Sequence, residues 1–298
     1  AKIKNESGKT FSATAYGAIT GTATFTNDGT FKKTAGTAGG ATDIQTTFDS
    51  TGTLSAESGT LKLSGGGKAS GNVTVGSGGK LNVASNYTFE NVALSGAGDI
   101  ELTAATTKFK NSTGSAKVSV NGGNLDFDGT LSNLGTLSLA SGNVTTTSGS
   151  AEVTSLDWSG GNLNGRIKAT GNTTLSGGAK TIGSAGELTL GGTLTTTGVG
   201  TLTNQGKLIK QGAGTTTDLS STFDSIGTLS AESGTLKLSG GGKASGNVTV
   251  ASTGKLDVAS AYTFEGATLS GTGDIELTAA TTKFKNSTSS AKVSVNGG

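Results

Sequence analysis

The sequence predicts an all-β protein wound as a parallel β-helix, a β-solenoid with coils of about 19 residues. Three observations carry this. The stretch Thr47–Gly123 returns 175 residues later as Thr222–Gly298, with ten of 77 positions changed. Within it an apolar residue recurs at Leu61, Leu81, Ile100, Val118, Leu137, Leu156, Leu175 and Leu194, in steps of 20, 19, 18, 19, 19, 19 and 19. Between these recurrences the chain alternates: Leu61-Lys62-Leu63, Val73-Thr74-Val75, Leu81-Asn82-Val83, Tyr87-Thr88-Phe89, Ile100-Glu101-Leu102 and Val118-Ser119-Val120 each put two apolar side chains on one side of a strand and a polar one on the other.

One coil reads as three short strands, for example Asn72–Val75, Lys80–Val83 and Tyr87–Glu90. They are separated by turn material such as Ser64-Gly65-Gly66-Gly67, Ser95-Gly96-Ala97-Gly98 and Asn121-Gly122-Gly123, where glycine admits positive φ without steric cost. Strands this short do not hold together as an isolated hairpin. Stacked in parallel on the next coil, they pair their backbone groups above and below and line up their apolar residues as one core. At roughly 4.8 Å per coil, about 15 coils make a rod of about 70 Å. The long period then holds about nine coils. The expected organisation is a single continuous solenoid over residues 1–298: the end of one long repeat (1–46), one full repeat (47–221) and the start of the next (222–298).

Composition agrees. Pro, Cys, Met and His are absent and 52 of 298 residues are Gly, which disfavours helices and leaves strand interiors free of proline. Without Cys or His there is no disulfide framework, no thiol zinc site and no imidazole base. With 22 basic and 20 acidic residues the chain carries no electrostatic footprint for nucleic acid or acidic lipid. No long apolar run or signal peptide is present, and a start at Ala1 fits a mature or excised segment. A Gly/Ser/Thr-rich disordered linker would not keep the alternation, and an antiparallel sandwich would not keep the 19-residue register.

The phrases FDSTGTLSAESGTLKLSGGG, YTFENVALSGAGDIEL and LTNQGKLIKQGAGTTTDL resemble the β-strand repeats of very large bacterial surface and secreted proteins, the filamentous-haemagglutinin-like adhesins and autotransporter passengers. The resemblance covers nearly the whole chain. It implies a right-handed β-helix and an extracellular structural or adhesive role.

Candidate chemistry is sparse. Asp126 and Asp128 project from one face, as a carboxylate pair for acid–base work or calcium requires, although a solvated outer face gives the same spacing. Gly96-Ala97-Gly98-Asp99 and Gly271-Thr272-Gly273-Asp274 approach the calcium-binding nonapeptide but are one residue short between glycine and aspartate. Trp158 beside Asp157, with the single arginine Arg166, has the makings of a sugar platform with a neighbouring acid; a tryptophan sealing an irregular coil is the plainer reading. Thr145–Thr147, Thr195–Thr197 and Thr215–Thr217 raise an ice-binding array. Against it, the outward row Lys62, Asn82, Glu101, Ser119, Ser138, Asp157 is broken by charges.

The sequence therefore reads as a non-enzymatic segment with no catalytic, cofactor or metal residues: a stiff β-helical stalk or filament of a giant extracellular bacterial protein. The alternative is a carbohydrate-active or carbohydrate-binding β-helix around Asp157 and Trp158. Expected partners are neighbouring repeats or stacked identical subunits, and a surface glycan or cell receptor. Nucleic acid and a transmembrane segment are not expected. Lys62, Asn82 and Glu101 should form one exposed row, with Lys237, Asp257 and Glu276 as its copy, and Asn72, Asn91 and Asn111 should form an amide ladder. Residues like Asn124 onward, or a stacked neighbour, are expected beyond Gly298.

Overall fold

The computed structural model describes residues 2–36, 40–278 and 281–297. Among them every regular element is a strand. The assigned pairings are parallel and join strands one coil apart, giving about 14 turns at roughly 20-residue spacing. The chain forms two compact units, Ala1–Val153 and Thr154–Gly298.

In the first unit each coil has three faces. Face A stacks Ile3–Asn5, Phe25–Asn27, Phe48–Ser50, Gly67–Ala69, Tyr87–Glu90 and Thr106–Lys110, then residues 124–127. Face B stacks Thr10–Ala13, Thr30–Lys33, residues 53–56 and 72–75, Ala93–Ser95 and Ser112–Gly114. Face C stacks Gly17–Ile19, Ala41–Ile44, residues 60–63 and 80–83, Asp99–Leu102 and residues 117–120. Faces B and C merge into continuous strands at Thr53–Leu63 and Asn72–Val83, whose mutual register shifts between Val75 and Gly78. A bulge of this kind turns a strand without ending it.

The second unit repeats the plan. Its face A runs from Asn162–Leu163 through Lys180–Ile182, Thr201–Asn204 and Thr222–Ser225 to Thr282–Lys285. Its face B runs from Arg166–Ala169 to Thr288–Ser289, and its face C from residues 156–158 to Lys292–Val295. The long repeat is reproduced strand for strand: Thr228–Leu238 and Asn247–Val258 copy Thr53–Leu63 and Asn72–Val83, and the register shift returns between Ala231 and Ser233.

Inward side chains form the core expected from the spacing. Leu61, Leu81, Ile100 and Val118 are register partners in turn, and these four and Leu137 are no more than 1% exposed. Burial of each such side chain is worth roughly 1.5–3 kcal/mol. The column is corrected in the second unit, where Leu156 pairs with Thr173 and Thr173 with Leu194, while Leu175 pairs with Trp158. Coil lengths of 17 and 21 residues replace two of 19 there. The shift is two residues, one strand period, so Leu175 still points inward and is buried, in the neighbouring column.

The corner between faces A and B explains why certain positions are glycine. A Cβ on Gly52 would lie 2.0 Å from the Gly29 carbonyl oxygen, and one on Gly71 would lie 1.9 Å from that of Gly52. The next coils turn this corner through Asn91 and Asn111, at φ 56° and 46°, the left-handed region that asparagine tolerates. The repeat replaces Asn91 by Gly266 at φ 68°, an exchange that keeps the turn.

The amide ladder expected at Asn72, Asn91 and Asn111 does not form, because Asn72 is an exposed strand residue while Asn91 and Asn111 are exposed corners. A ladder exists elsewhere, inside face A. Asn5 Nδ2 donates to Asn27 Oδ1 at 2.7 Å, and Asn27 Nδ2 donates to Ser50 Oγ at 2.8 Å and the Thr53 carbonyl at 3.1 Å. Asn204 repeats the latter pair, donating to Ser225 Oγ at 3.0 Å and the Thr228 carbonyl at 2.8 Å.

Candidate functional site

Each polar constellation in the sequence has a defined place, and most are occupied with joining one coil to the next. Asp126 is 6% exposed. It accepts hydrogen bonds from Thr147 N at 2.9 Å and Thr147 Oγ1 at 2.7 Å, and Asp128 accepts one from Ser148 Oγ at 2.9 Å. Lys108 Nζ lies 3.4 Å from Asp126 and 3.7 Å from Asp128. The two carboxylates thus share one ammonium and are capped by the hydroxyls of the following coil, so both are engaged in the framework.

Asp99 and Asp274 behave alike. Ser119 Oγ donates to both oxygens of Asp99 at 2.8 and 3.0 Å, and Ser294 Oγ donates to Asp274 at 2.9 Å. The Lys292 ammonium, 3.0 Å away, together with that hydroxyl holds the Asp274 carboxyl below its ordinary value. Among the described residues no group of three or more acids, the only ligand type of this chain in that class, is placed to hold a metal ion.

Trp158 is 1% exposed and packs inward on face C, its Nε1 donating to the Gly161 carbonyl at 3.3 Å. Its aromatic face is covered, so a sugar has nothing to stack on there. Asp157 points outward beside Trp158, and Arg166 lies on face B as the register partner of Glu187. These three residues do not converge.

The threonine runs do not form one array either. Thr145 and Thr147 serve Asp126; Thr196 Oγ1 pairs with Ser220 Oγ at 2.5 Å; Thr217 is buried, donating to the Gly192 carbonyl at 3.1 Å. The outward row on face C has the expected register, Lys62, Asn82, Glu101 and Ser119, with Asn82 Nδ2 donating to Glu101 at 3.0 Å. In the copy, Asp257 is the register partner of Lys237 and Glu276. Lys237 reaches the other way, to Asp218 at 4.0 Å.

Three buried lysines were missed from sequence. Lys33 and Lys210 are fully buried and Lys180 is 2% exposed. Lys33 Nζ donates to the Ala15 carbonyl at 3.2 Å and to that of Ala35; Lys180 Nζ donates to the Gly177 and Gly178 carbonyls at 3.3 and 3.1 Å. Lys210 Nζ donates to Thr215 Oγ1 at 2.6 Å and to the Gln211 carbonyl. Burial pushes Lys180 and Lys210 below the ordinary lysine value. The signal was present in Phe31-Lys32-Lys33 and Leu208-Ile209-Lys210, where a lysine stands at the inward phase of the alternation. Each ammonium ties down the loop that follows or precedes its strand.

One open hollow of about 250 Å³ lies along Phe11, Ala13, Tyr16, Ile19 and Thr42, and apart from the Tyr16 phenol no titratable side chain lines it. The outer side of face B differs from the others in lacking charge over several coils. Its register rows read Asn72, Ala93, Thr113, Ser132 and Ser55, Thr74, Ser95, with hydroxyl contacts of 3.0 Å between Thr74 and Ser95 and 3.1 Å between Ser132 and Thr113. No helix is long and apolar enough to cross a membrane among the described residues. No family model, no curated protein and no solved structure matches the chain.

Proposed function

We propose that the chain is a spacer: a structural repeat segment of an extracellular bacterial surface protein, whose stacked coils hold other parts of that protein at a distance or present an adhesive surface of their own. The observation that carries this reading is the strand-for-strand return of Thr53–Leu63 and Asn72–Val83 as Thr228–Leu238 and Asn247–Val258, down to the same register shift. Duplicating a coil block adds length without adding chemistry. Asp99, Asp126, Asp128 and the buried asparagines bond from one coil to the next, and the buried lysines fasten the loops beside their own strands, as a spacer requires. Its partners are then neighbouring repeats or stacked copies, with a glycan or receptor bound through the outer faces.

The test is removal of one period, residues 47–221, which joins Thr46 to Thr222 at equivalent points of the repeat. The shortened parent protein is expected to fold and reach the cell surface, with a tag fused beyond the deletion standing closer to the cell by about nine coils, roughly 43 Å. Loss of a hydrolytic or glycan-binding activity on removing this block, which contains Asp157 and Trp158, would instead favour the carbohydrate-active alternative.

A further inference from the structure

We infer that residues 191–200 are a hinged strap: one face C strand that swings out from the second unit while the coil segments on either side of it stay paired. The strand Leu194–Thr197 is bonded along one edge only. Thr173 N donates to the Thr193 carbonyl at 2.9 Å and Gly177 N to that of Thr197 at 3.1 Å, so residues 193, 195 and 197 turn their backbone groups toward Thr173–Ser176. Alternate residues of a parallel strand serve opposite neighbours, which turns Leu194 and Thr196 toward the next coil. There, among the described residues, no ladder meets them: the following face C strand, Thr216–Leu219, pairs onward with Thr228–Leu238 and not back to Leu194–Thr197. Two side-chain bonds cross the seam instead, Thr196 Oγ1 with Ser220 Oγ at 2.5 Å and Thr217 Oγ1 to the Gly192 carbonyl at 3.1 Å.

The first unit holds the same coil closed. Asn27, Lys33 and Thr42 correspond to Asn204, Lys210 and Thr217, and Thr42 Oγ1 donates to the Ala15 carbonyl at 2.8 Å as Thr217 does to that of Gly192. There Gly17–Ile19 forms a ladder with residues 42–44, the pairing that its counterpart Leu194–Thr197 lacks. The difference lies beside the strand. Tyr16 lays its ring along the loop that follows Lys33: the ammonium is 5.4 Å from the ring centroid, and a Cβ on Gly40 would lie 1.9 Å from Cε1. Thr193 stands at that place in the second unit, and its Oγ1 donates backward to Asn172 Oδ1 at 2.7 Å. The strap also gains little from the core. Leu194 is only half-buried, and its register partner Thr173 offers a buried hydroxyl with no bond. Gly191-Gly192 begins the strap, and Gly198, at φ 63° with open space where a Cβ would stand, supplies the hinge at its end. Both flanks are held, since Glu187–Leu190 and Thr201–Asn204 each pair with a strand before and a strand after. Opening therefore stops at the strap, and the stack of coils is not parted by it.

The experiment is residue-resolved amide hydrogen exchange on the whole chain. Glu187 N and Gln205 N, which donate to the Gly165 and Ile182 carbonyls in the flanking segments, are the references. Leu194 and Thr196 are expected to exchange fastest. Thr173 and Gly177, which donate to the strap, are expected to share one rate, at least about a hundredfold above the references. Ser220→Ala removes a bond across the seam; it is expected to speed Thr173 and Gly177 several-fold further and to leave Glu187 and Gln205 unchanged. Thr173 and Gly177 as slow as the references would overturn the strap. Fast exchange confined to Leu194 and Thr196 would overturn it too, because a fixed unpaired edge gives that result. Equal acceleration of the references in Ser220→Ala would show the whole coil opening at once, which also removes the strap.

Discussion

Thr173 sits between Leu156 and Leu194 in the core, 1% exposed, with its Oγ1 unpartnered. Thr107 and its copy Thr282 likewise carry hydroxyls that are buried and unpartnered. A buried donor left unsatisfied costs about 1–3 kcal/mol, whereas an isosteric methyl there costs nothing. Thr173→Val is therefore expected to raise the unfolding free energy by about 1–2 kcal/mol in urea titration. Ser112 is the control. Its hydroxyl donates to the Lys110 carbonyl at 3.1 Å and accepts from Val92 N at 3.3 Å, so Ser112→Val is expected to destabilise. A loss of stability in Thr173→Val equal to that in Ser112→Val would show that the Thr173 hydroxyl has a partner. At this scale the sequence was legible where alternation set the side of the strand, as with Leu61 and Ile100. It misled at Thr173, because an even-numbered slip leaves the inward pattern intact and offers no internal contradiction.

At the scale of the strand, the buried asparagine ladder shows how one coil recognises the next. Asn5, Asn27 and Ser50 are register partners in the first unit; Ile182, Asn204 and Ser225 hold the same places in the second. Ile182 supplies no donor, and Asn204 Oδ1 is accordingly left without a partner. Ile182→Asn restores the donor that Asn5 provides. An asparagine forced into an apolar column such as that of Ile100, between Leu81 and Val118, is expected to cost roughly 3–5 kcal/mol. At Ile182 the cost is expected to be lower by about 1–3 kcal/mol, because an orphan acceptor gains its bond. Equal losses for Ile100→Asn and Ile182→Asn in denaturant unfolding would remove the ladder from the account. The ladder was hidden in sequence because inward asparagines break the apolar pattern used to find strands. The exposed Asn72, Asn91 and Asn111 matched the spacing better, and spacing alone does not say which side of the chain a residue faces. The outer row Lys62, Asn82, Glu101 was legible, because its neighbours Leu61, Leu81 and Ile100 fix the phase.

Over the whole molecule the two copies of the long repeat are pinned in the same way. Tyr87 Oη donates to the Phe48 carbonyl at 3.1 Å, two coils back, and Tyr262 Oη donates to the Phe223 carbonyl at 3.2 Å. Both rings are 2% exposed. Burial, with a smaller contribution from Asp49 or Asp224, pushes both phenols far above the ordinary tyrosine value. The folded chain therefore keeps two protons that the unfolded chain releases once the pH exceeds about 10. Because the folded state then binds more protons, stability falls as pH rises through that point and is unaffected by these groups below it. Lys180 and Lys210 act in the opposite sense. Their depressed folded values mean that the unfolded chain holds more protons in the window below the ordinary lysine value, so their cost to stability lessens as pH climbs through it. The tyrosine effect continues to grow above that window while the lysine effect has levelled off, so alkaline unfolding is the expected net result. Phenolate absorbance from Tyr87 and Tyr262 should rise only together with loss of the strand signal in circular dichroism. Tyr87→Phe and Tyr262→Phe should each delete one share of that absorbance and shift unfolding of its own unit to higher pH. Smooth ionisation of both phenols near pH 10 with the strand signal intact would show that neither is held in the core as described.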